Sequence, residues 1–402
     1  MSRAPSPVRI GFIGPLTGGP SAKGRGGRNS ALLAVRQRNA LPGGCYCYEL
    51  VVMDDACDPA VGVVAARTLA GDPAVVAGVT HYCSEVALAC VGLYHAHALP
   101  VVVWGAHAAE ITDGNDYPEI HRVSGTFATE DEAAVRFLRG HRFERWVILH
   151  DPTHYGEGHA ETLASCVARH GGAVLRRFAL GVDQQDVRRE LAEIRRMDVD
   201  AVYVASAPSA WWTTHGGTTG LRRPPTDTPG WMPTPACVAR QMAELGVSAQ
   251  LHCPASALRD ARVLADMGEA GEGVLVFEEG APVGALPGGA EFASAYAEAG
   301  FEEGPEAFGP FAHAATTLLM DTIDAVGPDR HRIREALNRM RAHPTLVGPV
   351  TFDARGQNET LIISAYVGQD GTWALWPDSA YAAGRRRLRI PATAATGGGQ
   401  SP

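Results

Sequence analysis

Short apolar, β-branched runs alternate with stretches of helical apolar spacing along most of this chain. Runs at 8–14, 49–53, 75–79 and 100–104 predict strands, and the spacing at 30–38, 61–69 and 86–97 predicts the helices between them. A second series follows, with strands at 146–150, 173–178, 200–205, 249–252 and 273–277 and helices at 158–170, 187–196 and 238–245. Such alternation implies right-handed crossovers and parallel sheets covered by helices on both faces. Two further helices are expected at 307–326 and 330–341. Residues 348–352, 361–366 and 372–376 then read as antiparallel strands joined by turns at 353–356 and 369–371. The fold class is α/β, built as two doubly wound parallel-sheet lobes. Two stretches carry no period. Residues 213–235, rich in Gly, Pro and Thr, read as an inserted surface loop. Residues 389–402 read as a tail beyond the fold, disordered from 392 on.

Composition narrows the function more than the fold. Of 402 residues, 46% are hydrophobic and 20% charged, which excludes disorder of the whole chain. Lys and Arg number 35 against 44 Asp and Glu, a net charge of −9 that argues against a nucleic-acid partner. No run of 18 apolar residues is present, so direct insertion into a membrane is not expected. The opening MSRAPSPVRIGFIGPLTG shows no apolar signal core, which leaves the compartment open. Eight cysteines are too few for a disulfide scaffold in a chain of this length, and the Cys45, Cys47 pair has no second pair to complete a zinc site.

Chemistry is sought at the carboxyl ends of strands, where open α/β sheets bind ligands. The GPLTGG turn at 14–19 lacks the phosphate-loop pattern; it is either a tight turn approached by a small ligand or a plain turn. HYCSE at 81–85 opens a helix, so Ser84 can cap it, present its N–H groups to an anion, or both. WGAH at 104–107 places His107 beyond another strand end. Asp54, Asp55 and Asp58 are explained by a strand end and a helix start, and His150, Asp151 and His154 by a loop. Neither G-x-S-x-G nor H-E-x-x-H occurs, so no enzyme, metal site or cofactor is expected.

Taken in order, IGFIGPLTG (10–18), ALLAVRQRNALPGG (31–44), ELVVMDDACDPAVGVVAARTL (49–69), VVAGVTHYCS (75–84), VVVWGAHAAEIT (101–112), VILHDPTHYGEG (147–158), DVDAVYV (198–204) and GPVTFDARGQ (348–357) resemble the type I periplasmic binding proteins of the leucine/isoleucine/valine-binding branch. The resemblance spans about residues 8 to 380. It implies discontinuous lobes, 1–124 with 280–348 and 125–279 with 349–388, and a solute held in an interlobe cleft that closes by a hinge motion. It implies a disulfide between Cys57 and Cys83. It places Ser84, Gly105, His107, Tyr155 and Phe311 at the ligand, with Tyr82 and Trp104 lining the site. It also marks departures. A threonine of the family is replaced by His107, a cleft tyrosine falls at Ala207, and the acid that pairs a ligand ammonium falls at Ala255. The carboxylate end of the site looks kept and the ammonium end lost, so free leucine is expected to bind weakly unless Glu85 or another acid has taken over. The implied role is the solute-binding protein of an ABC-type importer, periplasmic or otherwise outside the cytoplasm, with a small carboxylate, amide or amino-acid-like solute and a membrane permease as partners. The alternative is a cytoplasmic ligand sensor of the amide-regulator type that controls a protein partner.

Overall fold

The computed structural model describes residues 6–114, 116–182, 184–206, 232–254 and 261–389. Most of the expected 213–235 insertion, with Ala207, Ala255 and the chain beyond Arg389, lies outside them. The chain divides into two compact units, one holding the residues up to Thr126 with Gly280–Ile362, the other 127–279 with the residues from Ile363 on.

In unit 1 the strands β1 (Ser6–Gly14), β2 (Tyr46–Asp54), β3 (Val75–Thr80), β4 (Val101–Val103) and β5 (Ile120–Arg122) form one sheet in the order β2-β1-β3-β4-β5, every pair parallel. Ile10, Phe12 and Ile13 of β1 are fully buried, as a central parallel strand requires. Helices α1 (Ser21–Asn39), α2 (Pro59–Gly71) and α3 (Ser84–Ala96) connect the first strands. The chain moves one way from β1 to β2 and the other way from β2 to β3, so right-handed crossovers set α1 and α2 on opposite faces. Helix α1 begins nine residues before its apolar spacing does. Its first turns are glycine-rich because they press on their surroundings. A Cβ at Gly24 would lie 1.8 Å from the Pro15 carbonyl oxygen, and one at Gly27 would lie 2.7 Å from the Trp104 ring.

Residues 280–362 complete the same unit. Here α9 (Gly289–Glu298), α10 (Gly309–Val326) and α11 (Arg330–Asn338) follow, and α10 packs along α1. Arg330 donates to the carbonyls of Ala70, Asp72, Val75 and His97, so one guanidinium closes the carboxyl ends of both α2 and α3. The passage expected near Gly348 comes instead between Ile362 and Ile363. The short antiparallel pair β11 (His343–Thr345) and β12 (Gly348–Val350) is a sheet of its own. The turn after it is fastened to unit 1, where Gln357 accepts from Arg122 Nε at 2.6 Å and Asn358 Nδ2 donates to the Val123 carbonyl at 3.1 Å.

Unit 2 contains α4 (Phe127–Gly140), β6 (Arg145–His150), α5 (His154–Arg169), β7 (Ala173–Ala179), α6 (Arg188–Ile194), β8 (Ala201–Ala205), α7 (Thr234–Leu245), β9 (Gln250–Pro254), α8 (Ala261–Met267) and β10 (Leu275–Glu279). Strands β7, β6, β8, β9 and β10 pair in parallel. The chain ends with β13 (Ile363–Gln369) and β14 (Thr372–Leu375), added antiparallel beyond β10. Alternate residues feed two cores. Val147, Leu149, Val202, Leu251 and Val276 face one side, while Trp146, Ile148, Tyr203, Leu275 and Phe277 face the other. Arg389, the only described residue of the expected tail, is held by Gln250 and by the carbonyls of Val247 and Ala249.

Candidate functional site

The carboxyl ends of β1, β3 and β4 build the site on unit 1. Ser84 is the first residue of α3, and Cys83, not Ser84, occupies the capping position without a side-chain cap bond. The Ser84 hydroxyl has another task. Its Oγ accepts from the backbone N–H groups of His107 and Ala108, both at 3.1 Å. A hydroxyl oxygen that accepts twice still carries its own proton to donate. Beside it stand the first N–H groups and positive end of a 13-residue helix. The arrangement suits an acceptor oxygen of a solute.

Arg122, which the sequence reading passed over, fixes this loop from behind. Its fully buried guanidinium donates to the carbonyls of Ala106 and Ala108 and to Thr112 Oγ1, at 3.2, 2.6 and 2.8 Å. The peptide groups around His107 are thus held by an arginine on their carbonyl side and by Ser84 on their N–H side. The His107 ring meets Phe308 edge-on at 5.3 Å, and Tyr82 meets the same phenyl at 5.6 Å. Phe311, the expected apolar wall, is buried one turn behind Phe308 with its ring 5.6 Å away. Trp104 is fully buried, stacked on Phe12, and donates from Nε1 to the Ile13 carbonyl at 3.3 Å. Gly105 lies against the Tyr82 ring, 2.8 Å from where its Cβ would be.

The Gly14–Gly19 turn is held by Asp54. Asp54 Oδ1 accepts from the N–H groups of Leu16, Thr17 and Ala56, and its Oδ2 from the Thr17 hydroxyl. Burial opposes ionisation of Asp54, but these bonds outweigh it and hold the carboxyl below its usual range. Asp58 caps α2, as a helix start requires. Asp55 does more than end a strand. Its carboxylate meets His81 Nδ1 at 3.0 Å, and His81 Nε2 meets the Tyr94 hydroxyl at 2.7 Å, all three groups being buried. Burial pulls the His81 pKa down, but the bond to Asp55 and the contact with Cys90 outweigh it and raise it to about 9.

Cys57 and Cys83 are bonded, with Cα atoms 5.6 Å apart. Their strands are not neighbours, because β1 runs between β2 and β3. The disulfide and the Asp55–His81 pair therefore both arch over the end of β1, where the strand order reverses direction.

On unit 2, Tyr155 lies in the first turn of α5, whose cap is Thr153; Thr153 Oγ1 accepts from the Gly156 N–H at 2.9 Å and donates to Asp151 at 2.5 Å. The 151–156 segment is thus more than the loop expected for Asp151 and His154. Gly156 permits the approach, since a Cβ there would be 2.2 Å from Asp151 Oδ1 and 2.6 Å from its carbonyl oxygen. Gly156→Ala should destabilise the protein by about 1–3 kcal/mol, read by denaturant unfolding. An unchanged midpoint would show that the turn relaxes freely.

Among the described residues no helix is long and apolar enough to cross a membrane. The profile of the periplasmic binding protein family matches residues 7–214, just over half of the chain. The leucine-, isoleucine-, valine-, threonine- and alanine-binding protein of Pseudomonas aeruginosa is 26% identical over 377 residues, covering 91% of each chain. A leucine binding protein of Thermotoga maritima superposes with a TM-score of 0.73 at 21% identity, covering 92% of this chain and 97% of that one. An R. palustris ABC-transporter solute binding protein solved with benzoate gives 0.69 at 19% identity, over 92% and 95%. At such identities the two structures speak for the fold. The profile goes further: this chain belongs to the periplasmic binding protein family, whose members bind solutes and are not enzymes.

Proposed function

We propose that the protein is the solute-binding component of an ABC-type importer and takes a small solute with a carboxylate or amide oxygen. The observation that carries this reading is the Ser84 hydroxyl, which accepts two backbone N–H bonds at a helix N-terminus and keeps a proton to donate. Relatives agree in kind, one named for leucine, isoleucine, valine, threonine and alanine and one solved with benzoate. A membrane permease is the partner this role requires. The Cys57–Cys83 bond favours an oxidising compartment outside the cytoplasm over the reading as a cytoplasmic sensor.

Calorimetric titration with the common amino acids, their deaminated carboxylates and small amides tests the reading. Ser84→Ala removes the donor to the solute oxygen and should weaken binding roughly 10- to 150-fold, the worth of a hydrogen bond to a charged group. Equal affinity in the variant would remove Ser84 from the site. Failure of every compound to bind would overturn the solute class.

A further inference from the structure

Two cross-links join the ends of β2 and β3, and one of them carries charge. Cys57 and Cys83 are bonded covalently; two residues before each, Asp55 and His81 form an ion pair, fully buried. The disulfide already ties the two strand ends together, and an ionised pair in the interior is a costly second tie. The backbone is strained at the same place. Among the described residues eight non-glycine residues have positive φ, and three of them, Ala56, Cys57 and His81, lie here. Such strain gathers where a site needs one particular geometry.

The titratable groups that face the His81 ring are Asp55, from the end of β2, and Cys90 and Tyr94, from α3. Of these only Asp55 brings a carboxylate. Burial works against the imidazolium, and the bonds to Asp55 and Cys90 outweigh it, so His81 keeps its proton up to about pH 9. With that proton the Asp55–His81 pair is neutral as a whole. Without it the Asp55 charge stands alone beside the start of α3.

Ser84 is close enough to feel the difference. Three residues of chain span at most about 11 Å, and at that range one uncancelled charge inside a protein changes the affinity for an anion roughly tenfold. The segment between is fixed at every step. The His81 N–H donates to the Ile13 carbonyl at 2.9 Å, the Tyr82 ring lies 5.5 Å from that of Trp104, and Cys83 is held by its disulfide. We propose that His81 makes anion binding at Ser84 conditional on its own proton: the imidazolium cancels Asp55 and leaves the subsite open to a carboxylate, and its loss turns the same subsite toward uncharged solutes. His81 is thus a positioning residue that touches no solute and acts through Asp55. The proposal rests on the solute-binding reading above and adds to it a pH-dependent choice between carboxylate and amide.

The test titrates the full chain and its Asp55→Asn variant, which keeps the shape of the pair and removes its charge. The probes are 4-methylpentanoate with 4-methylpentanamide and benzoate with benzamide, none of which changes protonation between about pH 7 and pH 10.5. Across that interval the wild type should lose carboxylate affinity roughly tenfold, centred near pH 9, and amide affinity by less than about twofold. Asp55→Asn should show no such fall. If leucine is the solute that binds, its own ammonium titrates in this range, so the ratio of wild-type to variant affinity is read, in which that effect cancels. A flat carboxylate profile in the wild type, a fall shared equally by the amide, binding of the amide alone at pH 7, or a fall that persists in Asp55→Asn overturns the coupling and leaves the solute-binding reading intact. Failure of every compound overturns both. A second measurement needs no variant: near pH 9.5 the wild type should take up about half a proton per carboxylate bound and none per amide, read by calorimetry in two buffers of unlike ionisation enthalpy. Equal uptake for both, or none for either, would overturn the coupling.

Discussion

Replacing Asp55 by alanine should cost about 3–5 kcal/mol of stability at neutral pH, because it strands the His81 ring in the interior without its anion. The dependence on pH gives the result a signature. Folding raises the His81 pKa from 6.5 to about 9, so the folded state binds a proton that the unfolded state releases over that interval. The contribution is complete below pH 6.5 and gone above 9, and at full size it is about 3 kcal/mol. Denaturant unfolding of the wild type should therefore show falling stability between pH 7 and pH 10. Asp55→Ala should show a flatter profile, so that the gap between the two proteins narrows as pH rises. A constant gap would mean that Asp55 acts through its backbone contacts alone.

Reduction of the Cys57–Cys83 bond should lower stability by about 3 kcal/mol, on the entropy of a loop of 26 residues. Peptide mapping without reductant should return these two cysteines as one linked species and the other six as thiols. Alkylation of the native protein should reach the exposed Cys45 and Cys47 first. Cys166 is buried, and burial pushes its thiol up to about 12, which keeps it unreactive. The reduced protein should also bind solute more weakly, since Cys83 immediately precedes Ser84. Finding Cys57 and Cys83 as thiols in protein from an oxidising compartment would refute the pairing.

How much the sequence revealed depended on what each element buries. The inner strands β1, β3, β4, β6 and β8 were legible because they are buried on both faces and read as apolar runs. Helix α4 was not, and the reason is chemical: Glu130 and Asp131 interrupt its inward stripe between Phe127 and Ala134, Val135 and Leu138. Strand β5 is three residues long and buries His121 and Arg122, which no propensity marks as core. Helix α9 is rich in alanine and faces its neighbours mainly with Phe292 and Tyr296, one turn apart. At the site, Ser84 stood out by its place after a strand. Phe308 did not, because it packs on Tyr82 and His107 some 200 residues earlier, and Arg122 did not, because it sits in a three-residue strand that no apolar run marks.

Arg330 shows how the two chain segments of unit 1 are joined. It lies more than 200 residues beyond α2 and α3, yet its side chain closes the carboxyl ends of both. Helix α10 likewise supplies Ala312, Ala315 and Leu319, all fully buried, to a unit whose first half ends at Thr126. No single truncation can release that half intact. A fragment stopping at residue 126 keeps the five-stranded sheet but exposes the surface that α10 covers, and it leaves two helix ends open. A version that keeps every described element of this unit must carry both 6–126 and 280–362. Residues 127–279 are likewise incomplete alone, since β13 from beyond Ile363 pairs antiparallel with β10 along its whole length.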